Sequence, residues 1–330
     1  MLFDYLSLAG GLVVLIIAGD VLVRGSVGVA QKLGVPNLVI GLTIVAFGTS
    51  APELFISLQA ALEGSGGIAI GNVVGSNIAN VLLVLGLPAL IATTACGEDG
   101  ATRTALFMVG VSCIFIVLLF FSPMSLLAAV ILLTLLAVYL GGNAIVATRH
   151  RRENKAAGTN GNGTEGDELL EDVDSVPENT WVAVLYIIIG IIGLPLGAHF
   201  TITGATSVAL DWGVSDAVIA LTVIALGTSL PELATTVMAA IRQHGAVAIG
   251  NVIGSNIFNL LAIIGITTAV VPVHVPEEIL YFDIWVMLGC AFLLVALAGF
   301  RVNLNRYSGA VLTLLYLGYI YWVYAMSFSA

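Results

Sequence analysis

Apolar runs long enough to be membrane spans, about 20 residues each, succeed one another along almost the whole chain. Short polar or glycine- and proline-bearing stretches separate them. Ten runs qualify: 3–23, 36–61, 67–93, 103–121, 124–147, 180–203, 214–240, 247–272, 279–300 and 307–328. The pattern predicts an all-α membrane protein of ten transmembrane helices, five before residue 150 and five after it. Between the two groups lies the only long polar stretch, 148–179, which reads RHRREN, then AAGTNGNGTEGD, then ELLEDVDSVPEN. That composition cannot bury a core and predicts a flexible acidic linker. The predicted organisation is a five-helix repeat over 1–147, the linker over 148–179 and a second five-helix repeat over 180–330.

The two groups share a duplicated stretch. Residues 41–86 align without a gap on 220–265, at an offset of 179, with 24 identities in 46 positions. Each copy carries one glutamate, Glu53 or Glu232, inside an apolar segment.

Composition fixes the solvent. The 330 residues are 59% hydrophobic and 9% charged, with a mean hydropathy of +1.09, against about 25% charged in soluble domains. A net charge of −10 with ten Lys and Arg excludes nucleic acid as a natural partner. Cys96, Cys113 and Cys290 form no metal-binding or redox spacing and read as small apolar residues. The start, MLFDYLSLAG, lacks a basic n-region and reads as a retained first helix.

Charge also sets orientation. The loops after spans 1, 3, 5, 7 and 9 hold Arg24, Lys32, Arg103, Arg149, Arg151, Arg152, Lys155, Arg242, Arg301 and Arg306, which is every basic residue of the chain. By the positive-inside rule both termini lie outside and the linker lies in the cytoplasm. Five spans per half is an odd number, so the halves insert with opposite orientation, as in the inverted repeats of secondary transporters.

The chemistry sits in two repeated blocks. GTSAPE at 48–53 recurs as GTSLPE at 227–232. Pro52 and Pro231 lack an N–H, so the carbonyls of Gly48 and Gly227 lose their partner and the helix bends or breaks. Thr49 and Glu53 share a helix face, as do Thr228 and Glu232. Each copy therefore offers a carboxylate, hydroxyls and released carbonyls, the donor set of a hard cation. The second block, GNVVGSNIAN at 71–80, recurs as GNVIGSNIFN at 250–259. Ser76 and Asn80 share a face, as do Ser255 and Asn259, and add neutral oxygens. Gly71, Gly75, Gly250 and Gly254 form small-xxx-small surfaces that let spans 3 and 8 press on spans 2 and 7.

Plainer readings exist for each feature. Glu53 and Glu232 could be protonated carboxyls hydrogen-bonded in a bundle. Charge at mid-bilayer costs roughly 2.5–3.5 kcal/mol, however, and usually marks an ion pathway. Asp20 and Arg24 read as a helix-end ion pair, His199 as a packed or pore-lining histidine, and Pro195 as a kink in span 6.

The paired GTSxPE and GSNIxN motifs resemble the α-1 and α-2 repeats of the cation/calcium exchanger superfamily, in its prokaryotic sodium/calcium exchanger branch, and the resemblance covers essentially the whole chain. It implies inverted five-helix repeats with helices 2, 3, 7 and 8 broken around a midplane ion site. It also implies long, tilted spans 1 and 6 that slide during alternating access. Carried over by motif, a central divalent site would use Glu53 and Glu232 with backbone oxygens near Thr49 and Thr228. Flanking Na⁺ sites would add Ser50, Ser76, Ser229, Ser255 and the carbonyls of Ala46 and Ala225, with Asn80 and Asn259 lining the centre. Some members of the family carry aspartate where this chain has Asn259, so two carboxylates remain rather than three.

The expected function is a plasma-membrane antiporter exchanging Ca²⁺ for Na⁺, not an enzyme, with no cofactor, Ca²⁺ and Na⁺ as substrates and the lipid bilayer as surroundings. A single chain is expected to suffice for transport. The rivals are a Ca²⁺/H⁺ exchanger of the same fold and a cation channel.

Overall fold

The computed structural model describes residues 2–156, 176–177, 179–212 and 225–327. Most of the predicted linker (157–175) and the first half of predicted span 7 (213–224) lie outside the described residues. The first half of the chain forms α1 (Leu2–Leu33), α2 (Asn37–Thr49), α3 (Ala51–Leu62), α4 (Gly66–Ile91), α5 (Ala101–Leu119) and α6 (Leu126–Ala156). The second half forms α7 (Thr180–Asp211), the single turn α8 (Ala225–Gly227), α9 (Leu230–Ile241), α10 (Gly245–Val270), α11 (Ile279–Gly299) and α12 (Arg306–Ser327).

Among the described residues the architecture is all-helical apart from a two-residue antiparallel pair. Its strands are β1 (Thr94–Ala95) and β2 (Asn303–Leu304), with Thr94 opposite Leu304 and Ala95 opposite Asn303. Among the described residues, eight helices are long and apolar enough to cross a membrane, or nine if α2 and α3, bent by 44°, count as one span. A helix satisfies its own backbone, which is what a bilayer demands.

Three boundaries depart from the sequence reading. First, α1 and α7 each run for 32 residues. Arg24 stays inside α1 because its charge is met by Asp20 at 3.7 Å and by the ring of Tyr186 at 5.3 Å. Second, α6 continues to Ala156, through what was expected to be the start of the linker. Residues 148–156 contain no Gly or Pro, and Arg, Lys, Glu and Ala hold a helix well. Third, spans 3 and 8 are not broken. α4 and α10 run through, each with a π-helical turn, Asn80–Val84 and Asn259–Ile263. Neither asparagine block contains proline; in α10 the ladder widens without losing a donor, and in α4 Pro88, four residues after Val84, withholds one at the end of the turn.

Burial orders the layers. The span of α10 is buried throughout and that of α4 to 78%, whereas α6 and α12 are each 17% buried. α4 and α10 form the centre, and the outer helices turn side chains such as Leu126, Leu127, Leu314 and Leu315 outward, as lipid-facing helices should. α1 and α7 pack tightly and antiparallel. Gly204 meets Leu8 and Asp4, Gly11 meets Thr201, Gly190 meets Leu22, and Gly25 meets Ala183. A Cβ on Gly11 or Gly204 would sit 2.5 Å from a backbone nitrogen of the facing helix, so only glycine permits this approach.

Loops that the charge pattern assigned to one face do meet. β1 and β2 join the loops after α4 and α11, where Arg301 pairs with Asp99 at 2.6 Å. Gly245, at the start of α10, lies against Ala95. Met124 bridges to Val273 in the loop after α10. At the far end of α9, Arg242 is ion-paired with Asp20 of α1. His199 lies on the exposed side of α7, against Phe200, and not in the packed core. Pro195 lies within the unbroken α7.

Candidate functional site

Each GTSxPE motif makes a helix end followed at once by a helix start. α2 closes at Thr49, Ser50 leaves helical geometry at φ −85°, ψ 2°, and α3 begins at Ala51. In the second copy Ser229 does the same at φ −89°, ψ 6°, and α9 begins at Leu230. Pro52 and Pro231 fall in the first turn of the new helix, where the missing N–H has no intrahelical role. Glu53 and Glu232 occupy the same first turns, where the helix dipole favours negative charge.

The two glutamates are 1% and 0% exposed and lie within electrostatic reach of each other. Ser50 donates across the halves to Oε1 of Glu232 at 3.1 Å. The Thr49 hydroxyl lies 3.2 Å from Oδ1 of Asn251, 3.3 Å from Oγ of Ser255 and 3.3 Å from the carbonyl of Ala46. Ser76 is buried one turn before Asn80, Thr228 is buried at the break between α8 and α9, and Ala225 opens α8. Asn80 and Asn259 are buried where the π-helical turns begin.

Four asparagines tie α4 to α10. Asn77 Nδ2 donates to the Asn256 carbonyl at 3.3 Å, and Asn256 Nδ2 donates to the Asn77 carbonyl at 3.4 Å. Asn80 Nδ2 donates to Asn256 Oδ1 at 3.0 Å, and Asn259 Nδ2 donates to Asn77 Oδ1 at 3.1 Å. The 179-residue offset exchanges each bond with its partner bond. A second matched pair braces the glutamate helices. Asn72 donates to the Glu53 carbonyl at 3.4 Å and to Ser57 at 2.9 Å, while Asn251 donates to the Glu232 carbonyl at 3.4 Å and to Thr236 at 3.1 Å.

Sequence reasoning missed Asn72, Asn77, Asn251 and Asn256. Their signal was present, because each asparagine recurs in both copies inside an otherwise apolar helix. Also missed was Tyr139 of α6, whose hydroxyl donates to the Leu42 carbonyl at 2.8 Å. That carbonyl sits in a π-helical turn of α2, Gly41–Val45. The glycine surface fared as expected in the second copy, where Gly254 and Gly250 let α10 press on α2. A Cβ on Gly254 would lie 2.6 Å from that of Ala46. The matching partner of the first copy, 217–221, lies outside the described residues.

Among the described residues, six buried side-chain oxygens in these motifs have no hydrogen-bond partner: Oε1 and Oε2 of Glu53, Oε2 of Glu232, Oδ1 of Asn80, Oδ1 of Asn259 and Oγ of Ser229. An unsatisfied buried polar group costs about 1–3 kcal/mol, and folding alone gives no return for gathering six. Two of the six are amide oxygens, which only accept, and three are carboxylate oxygens, which accept when ionised. An arrangement of carboxylate, amide and hydroxyl oxygens without competing donors suits a hard cation.

Comparison with known proteins agrees with this chemistry. A family model described as sodium/calcium exchanger protein matches residues 3–143 and 182–325. CaxA of Alkalimonas amylolytica is 35% identical over 321 residues, covering 96% of this chain and 97% of that protein. The sodium/calcium exchanger MaX1 of Methanosarcina acetivorans is 33% identical over 340 aligned positions, covering 96% and 97%. A solved structure of the sodium-calcium exchanger NCX_Mj, soaked without Na⁺ or Ca²⁺, superposes with a TM-score of 0.78 at 30% identity, covering 98% of this chain and 99% of that one.

Proposed function

This chain belongs to the sodium/calcium exchanger family, in the prokaryotic branch of the cation/calcium exchangers, and is a transporter, not an enzyme; from that premise we propose that it exports Ca²⁺ across the plasma membrane in exchange for Na⁺. The carrying observation is the meeting of two buried glutamates, one from each copy, among six oxygens left without partners.

In this reading Glu53 and Glu232 together neutralise one Ca²⁺, and backbone oxygens near Thr49 and Thr228 complete its shell. Ser50, Ser76, Ser229, Ser255 and the carbonyls of Ala46 and Ala225 serve Na⁺. Asn80 and Asn259 offer neutral oxygens between them. The same carboxylates cannot hold Ca²⁺ and a full set of Na⁺ at once. Competition for them couples the two fluxes, because no state crosses loaded with both.

The arrangement we propose is ten spans in two inverted five-helix repeats, with both termini outside and the linker cytoplasmic. The antiparallel packing of α1 on α7 supports it, since these are corresponding helices of the two halves. The exchange symmetry of the asparagine bonds supports it as well. Alternating access then follows from the halves trading conformations, with the glycine-lined α1–α7 pair as the surface able to slide.

The decisive experiment is ⁴⁵Ca uptake in proteoliposomes with Na⁺, K⁺ and pH gradients imposed one at a time. Vesicles loaded with Na⁺ take up Ca²⁺ on dilution into Na⁺-free buffer. Uptake driven by a pH jump without Na⁺ makes the protein a Ca²⁺/H⁺ exchanger instead, and uptake with no counter-ion gradient overturns antiport.

A further inference from the structure

The bond pattern around Asn80 and Asn259 has a consequence beyond the ligand set. An asparagine amide can turn either its oxygen or its NH₂ toward a cavity, and only the oxygen suits a cation. We infer that Asn77 and Asn256 are positioning residues: each fixes the amide of the asparagine that follows in the opposite copy so that its oxygen, and not its NH₂, is presented to the ion. The inference rests on the proposed cation site.

Asn77 Oδ1 accepts from Asn259 Nδ2 at 3.1 Å, and Asn256 Oδ1 accepts from Asn80 Nδ2 at 3.0 Å. With its nitrogen so engaged, each of Asn80 and Asn259 keeps Oδ1 buried and without a partner. Asn77 and Asn256 are themselves held, because each donates its own Nδ2 to the other's carbonyl at 3.3 and 3.4 Å. All four are at most 2% exposed, so water cannot take over a lost bond cheaply. Asparagine is the residue that fits positions 77 and 256. It supplies a donor for the facing helix and an acceptor for the next asparagine, on a side chain short enough to do both. Serine lacks the reach, and leucine fills the volume with neither group.

The pairing also crosses the halves. The oxygen offered by the second copy at Asn259 is set by the first copy at Asn77, and the reverse holds for Asn80 and Asn256. The geometry of each neutral ligand is therefore tied to the contact between α4 and α10. A movement of one helix past the other would disturb both ligands together.

The test is a double-mutant cycle on purified full-length protein, read as equilibrium ⁴⁵Ca binding, with thermal unfolding followed in parallel. Groups that orient metal ligands are typically worth about 10–100-fold in affinity. Asn77→Leu and Asn259→Ala are each expected to weaken Ca²⁺ binding about tenfold. The double variant falls well short of the product of the two losses, since the bond removed no longer has an oxygen to orient. The mirror cycle, Asn256→Leu with Asn80→Ala, behaves the same way. Asn77→Ser and Asn256→Ser replace the leucine variants in the cycle if those do not yield monodisperse protein.

Losses that simply multiply, or an Asn77 variant that lowers the unfolding temperature while leaving Ca²⁺ affinity unchanged, would make the brace a packing contact only. Glu232→Gln in the same assay separates the two claims. Normal Ca²⁺ binding by that variant removes the cation site itself. Its loss of binding beside a multiplicative cycle removes only the positioning role.

Discussion

The two copies of the duplicated stretch hold the same chemistry in unequal states. In the first copy, Ser50 reaches across and donates to Glu232, and Thr49 contacts Asn251 and Ser255. In the second, Ser229 makes no such reach, and both carboxylate oxygens of Glu53 go without a donor. The deeper bracing, by contrast, is largely shared: the bonds of Asn72 to the Glu53 carbonyl and Ser57 recur at Asn251, and Asn77 and Asn256 exchange theirs. The copies differ most in the hydroxyls and carboxylates at the helix breaks, and the frame adds only the Thr49 hydroxyl at Asn251 and the Met287 sulfur at Asn77. The proposed alternating access would call for such a division between a fixed frame and a part able to take two arrangements.

The largest expected effect tests what the copies share. Glu53→Gln and Glu232→Gln should each reduce Ca²⁺ exchange in proteoliposomes to background while leaving a monodisperse protein. If one glutamate variant transports near normally, the copies are not equivalent partners in the site. The next effect tests what they do not share. Ser50→Ala removes a hydrogen bond to a carboxylate, a type worth about 1.5–3 kcal/mol, whereas Ser229→Ala removes a hydroxyl without a partner. Thermal unfolding without ions should therefore fall clearly for Ser50→Ala and little for Ser229→Ala. Equal shifts would mean that the asymmetry is not a property of the ion-free protein.

The smallest difference concerns the outer brace. Asn251 has the Thr49 hydroxyl within reach in addition to its own two bonds. Asn251→Ala should therefore cost about 1 kcal/mol more than Asn72→Ala, the worth of one ordinary hydrogen bond. Chemical denaturation of the two variants side by side measures this.

Much of the site was legible because the duplication works as an internal alignment. A glutamate beside a proline in an apolar run is already unusual, and its recurrence at a fixed offset makes it a site candidate. Asn72 and Asn77 recur equally but were not legible as partners, because pairing along one helix face hides the bonds of Asn72 to the neighbouring glutamate helix and those of Asn77 to the other copy. Tyr139 was not legible at all. Nothing near it in sequence says that a carbonyl 97 positions away will need a donor. Helix ends were misjudged for a related reason. Arg24 and the basic end of α6 look like terminators by polarity alone. A charge stays in a helix when something meets it, and for Arg24 that includes Tyr186 of a distant helix.

By itself, then, the sequence determined the solvent, the succession of apolar helices that the described residues form, an interruption at each GTSxPE motif, and the presence of one carboxylate in each copy. Those are local or periodic properties, set by hydropathy, by the missing N–H of proline and by chain order. The tertiary structure alone decided which oxygens face one another, that Ser50 and not Ser229 reaches across, and that the free oxygens of Asn80 and Asn259 are set from the opposite copy. These outcomes depend on distances of about 3 Å between residues some 180 positions apart, and such distances exist only once the helices of the two halves have packed.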